Sequence, residues 1–179
     1  MSDAPTPPPD EIPSEMPVDA VLGEIPEILE VMSDHMPAVA LHRLLGLKFV
    51  KLDRTETVVE MPVQEEAFNS TGNLHGGAIA TLIDVAAGTA AAVGSRFRPG
   101  METIVTADLH VRYLGRPKGD VVRAHAVVLR AGRQLIVVEC RVVDDFGNVI
   151  AVCDFSSMLV PLREPLRPVP TADRRQPDM

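Results

Sequence analysis

The chain has no Trp, one Tyr and five Phe. Recognition of single-stranded nucleic acid by base stacking relies on such rings, so their scarcity argues against that role. A formal net charge of −8 argues against the same partners. Cysteine is nearly as scarce: Cys140 and Cys153 stand singly within apolar runs, too few and too widely spaced for a zinc site. They are expected to be buried thiols in a reducing compartment. The amino terminus has neither the basic start nor the apolar stretch of a secretory leader, and a cytoplasmic protein is the expectation. Residues 1 to 37 contain no Lys or Arg but nine acids, whereas residues 38 to 160 carry thirteen of each sign. The middle of the chain is therefore electrically balanced, and the charge asymmetry belongs to the ends.

The proline content of the ends agrees with that division. Seven prolines fall in the first 26 residues and five in the last 19, so residues 1 to 26 and 161 to 179 are expected to be solvated, disordered arms around one domain spanning 27 to 160. An acidic stretch, EIPEILEVM, is a candidate helix leading into that domain. With 46% hydrophobic residues drawn mainly from Val, Ala, Leu and Ile, the middle of the chain is sufficient for one sizeable core.

Periodicity sets the order of elements. DHMPAVALHRLLG has helical spacing at Ala38, Leu41, Leu44 and Leu45, with Gly46 as a stop. LKFVKL and TETVVEMPV, joined at Asp53-Arg54, predict a hairpin with Thr57, Val59, Met61 and Val63 on one face. TIVTADLHVRYL alternates, placing Val105, Ala107, Leu109, Val111 and Tyr113 on an apolar face and Thr106, Asp108, His110 and Arg112 on a polar one. Three further strands follow, VVRAHAVVLR, QLIVVECRVV and VIAVCDFSSMLV, with short turn signals between them. The expected fold class is α+β, a hairpin, one long helix and a four-stranded meander forming a curved antiparallel sheet around that helix.

The long helix carries the chemical question. In NSTGNLHGGAIATLIDVAAGTAAAVG, the twenty residues from Gly76 to Ser95 include a single ionisable side chain, Asp84. A helix apolar all round is either a buried core helix or a membrane span. Its many small residues and the strands after it favour the core, so no membrane role is expected. An unpaired carboxylate inside such a helix costs several kcal/mol, roughly, unless it is paired or protonated. Either a structural hydrogen bond or a use explains it.

The arrangement resembles the hotdog fold, in which a sheet wraps a long central helix. Asn69, Gly72, His75-Gly76-Gly77 and then Asp84 nine residues after the histidine resemble the signature of the phenylacetic-acid-type (PaaI-like) branch of hotdog acyl-CoA thioesterases. The resemblance covers roughly residues 40 to 160. It implies an oxyanion hole centred on the Gly76 amide, with His75 and Asn69 near the carbonyl and the water, and Asp84 as general base or nucleophile. A helix amino terminus suits the first task because its leading N–H groups lack intrahelical partners. Gly77, like Gly76, lets a substrate approach the backbone closely. Thr106 falls where a related branch places a hydroxyl that helps hold the attacking water. His35, His42 and His125 show no partner pattern and read as surface or helix-end residues.

An acyl-CoA substrate brings phosphates. Arg96, Arg98, Arg112, Arg116, Lys118, Arg130 and Arg133 could meet them as a group, and the family's use of the turn favours Arg130, Gly132 and Arg133. The leading expectation is hydrolysis of acyl-CoA to a free acid and coenzyme A, with no metal and no redox cofactor. The alternative is a non-catalytic acyl-CoA-binding hotdog module. Hotdog hydratases use a different His/Asp arrangement. Few aromatic residues suggest an aliphatic-lined pocket without naming the acyl group.

Spacing adds a constraint on assembly. Nine residues at 100° each put Asp84 about 180° around the helix from His75 and ~13 Å along it. The two ends of the chemistry should not meet on one thioester within a single chain. A homodimer with antiparallel helices, the arrangement the resemblance implies, would supply two composite sites, and pairing of dimers into a homotetramer is left open.

Overall fold

Strands form where apolar residues alternate, and the long helix forms where they do not. The structure, a computed structural model, describes residues 36–162. The candidate helix EIPEILEVM, His35, the amino-terminal arm and all but two residues of the expected tail lie outside that range. Two helices, α1 (Ala40–Leu44) and α2 (Gly76–Val93), accompany six strands: β1 (Lys48–Leu52), β2 (Thr57–Pro62), β3 (Glu102–Tyr113), β4 (Val121–Ala131), β5 (Leu135–Asp144) and β6 (Val149–Pro161). The strands make one antiparallel sheet in the order β1-β2-β4-β5-β6-β3. Its inner face packs on α2, which is the hotdog arrangement.

Period-two alternation accounts for the core side of the sheet. Thr57, Val59 and Met61 on β2, Val122, Ala124 and Ala126 on β4, and Ile136, Val138 and Cys140 on β5 are fully buried. From α2 they meet Leu82, Ile83, Ala86 and Ala87. Full burial of Leu82 or Ile83 stabilises by about 1.5–3 kcal/mol each. Cys140 and Cys153 face one another across β5 and β6, buried and unbridged. Burial pushes the Cys153 thiol up to about 11 and the Cys140 thiol higher still.

Four expectations need correction. The four strands after the helix do not form a simple meander: β4, β5 and β6 do, but β3 pairs with β6 at the far edge. The place beside β2 is taken by β4, and α2, crossing the inner face, delivers the chain to the opposite edge. Pro161 belongs to β6, opposite Glu102, and Leu162 N–H bonds the Met101 carbonyl, so the expected tail starts two residues too early.

Third, the faces of β3 exchange partway along. Its register against β6 slips between Thr106 and Asp108, leaving Ala107 as a bulge. An extra residue inverts every later side chain. Ile104 before the bulge and Leu109 and Val111 after it therefore all pack on the core, while Val105, assigned to the apolar face, is 47% exposed. Thr106, assigned to the polar face, turns toward α2.

Finally, α2 is not buried all round. It is long and apolar enough to cross a membrane by length and composition, yet just 56% of it is buried. Gly77, Ala80, Thr81, Asp84, Val85 and Gly88 form a stripe at spacings of three and four that the sheet leaves uncovered. Asp84 lies in this stripe, half-buried, and not in the core. The desolvation cost anticipated for it is thereby largely avoided.

Candidate active site

The loop before α2 aims the chain at the helix start. Asn69 Oδ1 accepts from Thr71 N (2.9 Å), Thr71 Oγ1 (2.8 Å) and Asn73 N (3.2 Å), while Gly72, at φ 72°, completes the turn. The Asn69 oxygen is thus occupied in holding the loop, and its amide nitrogen is the group left for a ligand. His75 N–H then bonds the Ala67 carbonyl at 2.7 Å, anchoring the first residue before the helix.

His75 caps α2 with its ring. Nδ1 accepts from Gly77 N–H at 2.8 Å, and the His75 carbonyl accepts from Ala78 N and Ile79 N. Of the four leading amides of the helix, Gly76 N–H is the one with no acceptor among the described residues. Because Nδ1 is an acceptor, Nε2 is the donor of the neutral ring. The double glycine also has a packing reason. A Cβ on Gly76 would press on Tyr113 Cζ at 3.3 Å, and one on Gly77 would lie 3.0 Å from His75 Nδ1. Tyr113 Oη donates to the Gly76 carbonyl at 2.9 Å, bracing the helix start from β3. That contact was invisible in the alternation, which placed Tyr113 merely on an apolar face.

Two turns further on, Thr106 Oγ1 donates to Asp84 Oδ1 at 2.8 Å. This is the only hydrogen bond of the Asp84 side chain among the described residues, and none reaches Asn69, His75, Gly76 or Gly77. Eight residues separate Gly76 from Asp84, about 12 Å along the axis. Within a single chain these groups therefore stand apart, the amides with His75 at one level and Asp84 with Thr106 at another.

His42 was read as a surface or helix-end residue, but it is half-buried, and its wholly buried Nδ1 has no partner among the described residues. Burial lowers its pKa, and the nearby Asp84 charge raises it in part. His125, read in the same way, has a partner, Glu56 Oε1 at 2.8 Å on the outer face of the sheet. Asp108 and His110 are exposed on β3 beyond the bulge.

The basic residues separate into two groups. Arg98 is paired with Glu102 and Arg112 with Asp154. Arg96, Gly132 and Arg133, together with Arg54, line a cleft of about 420 Å³ at the carboxyl end of α2. Arg130 does not line it. Gly132 is required by the turn itself, since a Cβ there would be 2.7 Å from the Leu135 carbonyl oxygen. The arginines outweigh the negative end of the helix dipole. This cleft lies ten residues, about 15 Å, from Asp84, so it suits a remote anionic part of a long ligand and not the reacting atoms.

Residues 71–151 match the family described as the thioesterase superfamily. Human acyl-coenzyme A thioesterase 13 is 33% identical over 108 residues, covering 59% of this chain and 74% of that protein. The chain belongs to the thioesterase superfamily. A Caenorhabditis elegans protein named as an esterase is 42% identical over 93 residues, 51% of this chain and 52% of its own length. The chain thus spans about half the length of that relative. A thioesterase structure from Pseudomonas aeruginosa superposes with a TM-score of 0.71 at 23% identity, covering 79% of this thioesterase-superfamily chain and 99% of that one. At that identity the likeness concerns the fold.

Proposed function

We propose that the protein is an acyl-CoA thioesterase whose reacting groups are Asp84, held by Thr106, and the unpartnered Gly76 amide beside His75 and Asn69. The Asp84–Thr106 hydrogen bond carries this reading, because it converts a carboxylate in an apolar helix into an oriented group on an open stripe. Family membership and the relatives' names support the substrate class. As general base, Asp84 takes a proton from water while the water oxygen bonds the thioester carbonyl carbon. The resulting oxyanion is met by Gly76 N–H. Collapse breaks the carbon–sulfur bond, and the departing thiolate recovers the proton from Asp84. Attack by Asp84 itself is the other route; a single turnover in ¹⁸O-water labels the Asp84 carboxylate on that route alone.

Self-association belongs to the same proposal. Strand β3, twelve residues long, is paired on one side only among the described residues and exposes Val105 and Tyr113. Such an edge invites a second copy. The open stripe of small residues on α2 lets another helix approach closely. A two-fold dimer with antiparallel helices would bring the amides of one chain to Asp84 of the other, and association of dimers is open to measurement by light scattering. The cleft containing Arg96 and Arg133 is assigned to the coenzyme A phosphates. The unbridged pair Cys140 and Cys153 supports a cytoplasmic setting.

The decisive assay is thiol release from a panel of short, medium, long and aryl acyl-CoAs. Release from at least one is expected; tight binding without release from any would make the protein an acyl-CoA-binding module. Thr106→Val should lower kcat about tenfold with little change in melting temperature, and Thr106→Ser should recover most of the loss. Arg96→Ala combined with Arg133→Ala should raise KM for acyl-CoA at least about tenfold. The same pair should leave KM for an acyl-pantetheine unchanged, because that substrate lacks the nucleotide.

A further inference from the structure

The Gly76 amide stands next to a peptide that is gripped at both of its polar atoms. In the Gly76–Gly77 peptide, the carbonyl accepts from Tyr113 Oη at 2.9 Å and the N–H donates to His75 Nδ1 at 2.8 Å. The same two side chains occupy the room that glycine leaves. A Cβ on Gly76 would lie 3.3 Å from Tyr113 Cζ, and one on Gly77 would lie 3.0 Å from His75 Nδ1. Two successive glycines have a backbone less restricted than any other pair, and the leading N–H groups of a helix lack the bonds that hold later turns. The grip supplies the restriction that the missing side chains do not.

Tyr113 is anchored in the sheet. Its backbone pairs with Ala151 on β6, and the next residue, Leu114, donates from its N–H to the Ile150 carbonyl at 2.8 Å. Ile150 and Ala151 are fully buried. The phenol therefore connects the packed sheet to the first peptide of α2. For folding the bond counts little, because Tyr113 is 52% exposed and water can satisfy both groups when it is lost. Its effect lies in where it holds the helix start.

We propose that Tyr113 is a positioning residue of the thioesterase site: through the Gly76 carbonyl it fixes the direction of the Gly76 N–H that receives the oxyanion. The inference rests on the thioesterase reading and adds a residue to it. It holds whichever route Asp84 takes, since both routes pass through an oxyanion. Thr106 orients Asp84, and Tyr113, further along the same strand, orients the amide. Strand β3 thus sets both reacting groups of α2. A donor stabilises an oxyanion most when it is aimed before the charge forms, and a displacement of ~1 Å can cost ~10²-fold. With His75 still holding Gly77 N–H, loss of the phenol should cost less than that.

Tyr113→Phe is the test, because it keeps the ring against Gly76 and removes only the O–H. It should lower kcat about tenfold, while KM stays within about twofold and the melting temperature within about 3 °C. Two inert coenzyme A derivatives read the amide without turnover: a ketone with a methylene in place of the thioester sulfur keeps the carbonyl, and an S-alkyl thioether lacks it. The variant should bind the ketone about three- to fivefold more weakly and the thioether as the wild type does. Unchanged kcat in folded Tyr113→Phe overturns the proposal. So does equal weakening of the two derivatives, or a loss of activity that only follows the loss of folded protein. A wild type that releases no thiol from any acyl-CoA would instead overturn the thioesterase reading and this inference with it.

Discussion

Asp84→Asn should leave the protein folded and lower kcat by at least ~100-fold, the general scale for removing a proton-accepting group. The substitution is a fair test because of where the residue lies. Asp84 is half-buried on the open stripe of α2, and its one side-chain hydrogen bond among the described residues, from Thr106 Oγ1, can be accepted equally by an Asn oxygen. Packing and the hydrogen bond survive, and only the ability to take a proton is removed. The melting temperature should therefore move by no more than a few degrees, as expected for a change below about 1 kcal/mol. A folded Asp84→Asn protein with full thiol release would show the carboxylate to be structural. Asp84→Ala should lose as much activity.

The second large effect is restoration of activity between two dead chains. His75→Ala with Gly76→Pro disables the amide end: the first change removes the ring that holds Gly77 N–H, and the second removes the Gly76 N–H itself. Mixed with Asp84→Asn under conditions that exchange subunits, this chain should form heterodimers with one intact site and one doubly damaged site. Because heterodimers are about half of a statistical mixture, activity should rise to roughly a quarter of the wild-type value from near zero. The physical basis is the axial gap of about 12 Å between Gly76 and Asp84, which no side chain of one protomer bridges. Heterodimers demonstrated by native mass spectrometry, but inactive, would place the whole reaction within one chain.

Much of this protein was legible in the amino-acid order because the relevant physics is local. The limits of α2 follow from His75 before it and Gly94 after it, and the structure places it at Gly76–Val93. The buried faces of β2, β4 and β5 follow from alternation, which a half-buried strand imposes on any sequence. The separation of His75 from Asp84 follows from helix geometry alone. Tertiary structure decided the rest. The bulge at Ala107 depends on pairing between β3 and β6, whose partners there are about fifty residues apart, and with it Thr106 faces Asp84. Strand order, not periodicity, placed β3 at an edge of the sheet that the described residues form and left a stripe of α2 uncovered by that sheet. Tyr113 braces Gly76 through a contact between elements distant in the chain. Local patterns report the period of an element and which face is apolar; they carry no information about register shifts or about which polar group the fold places opposite another.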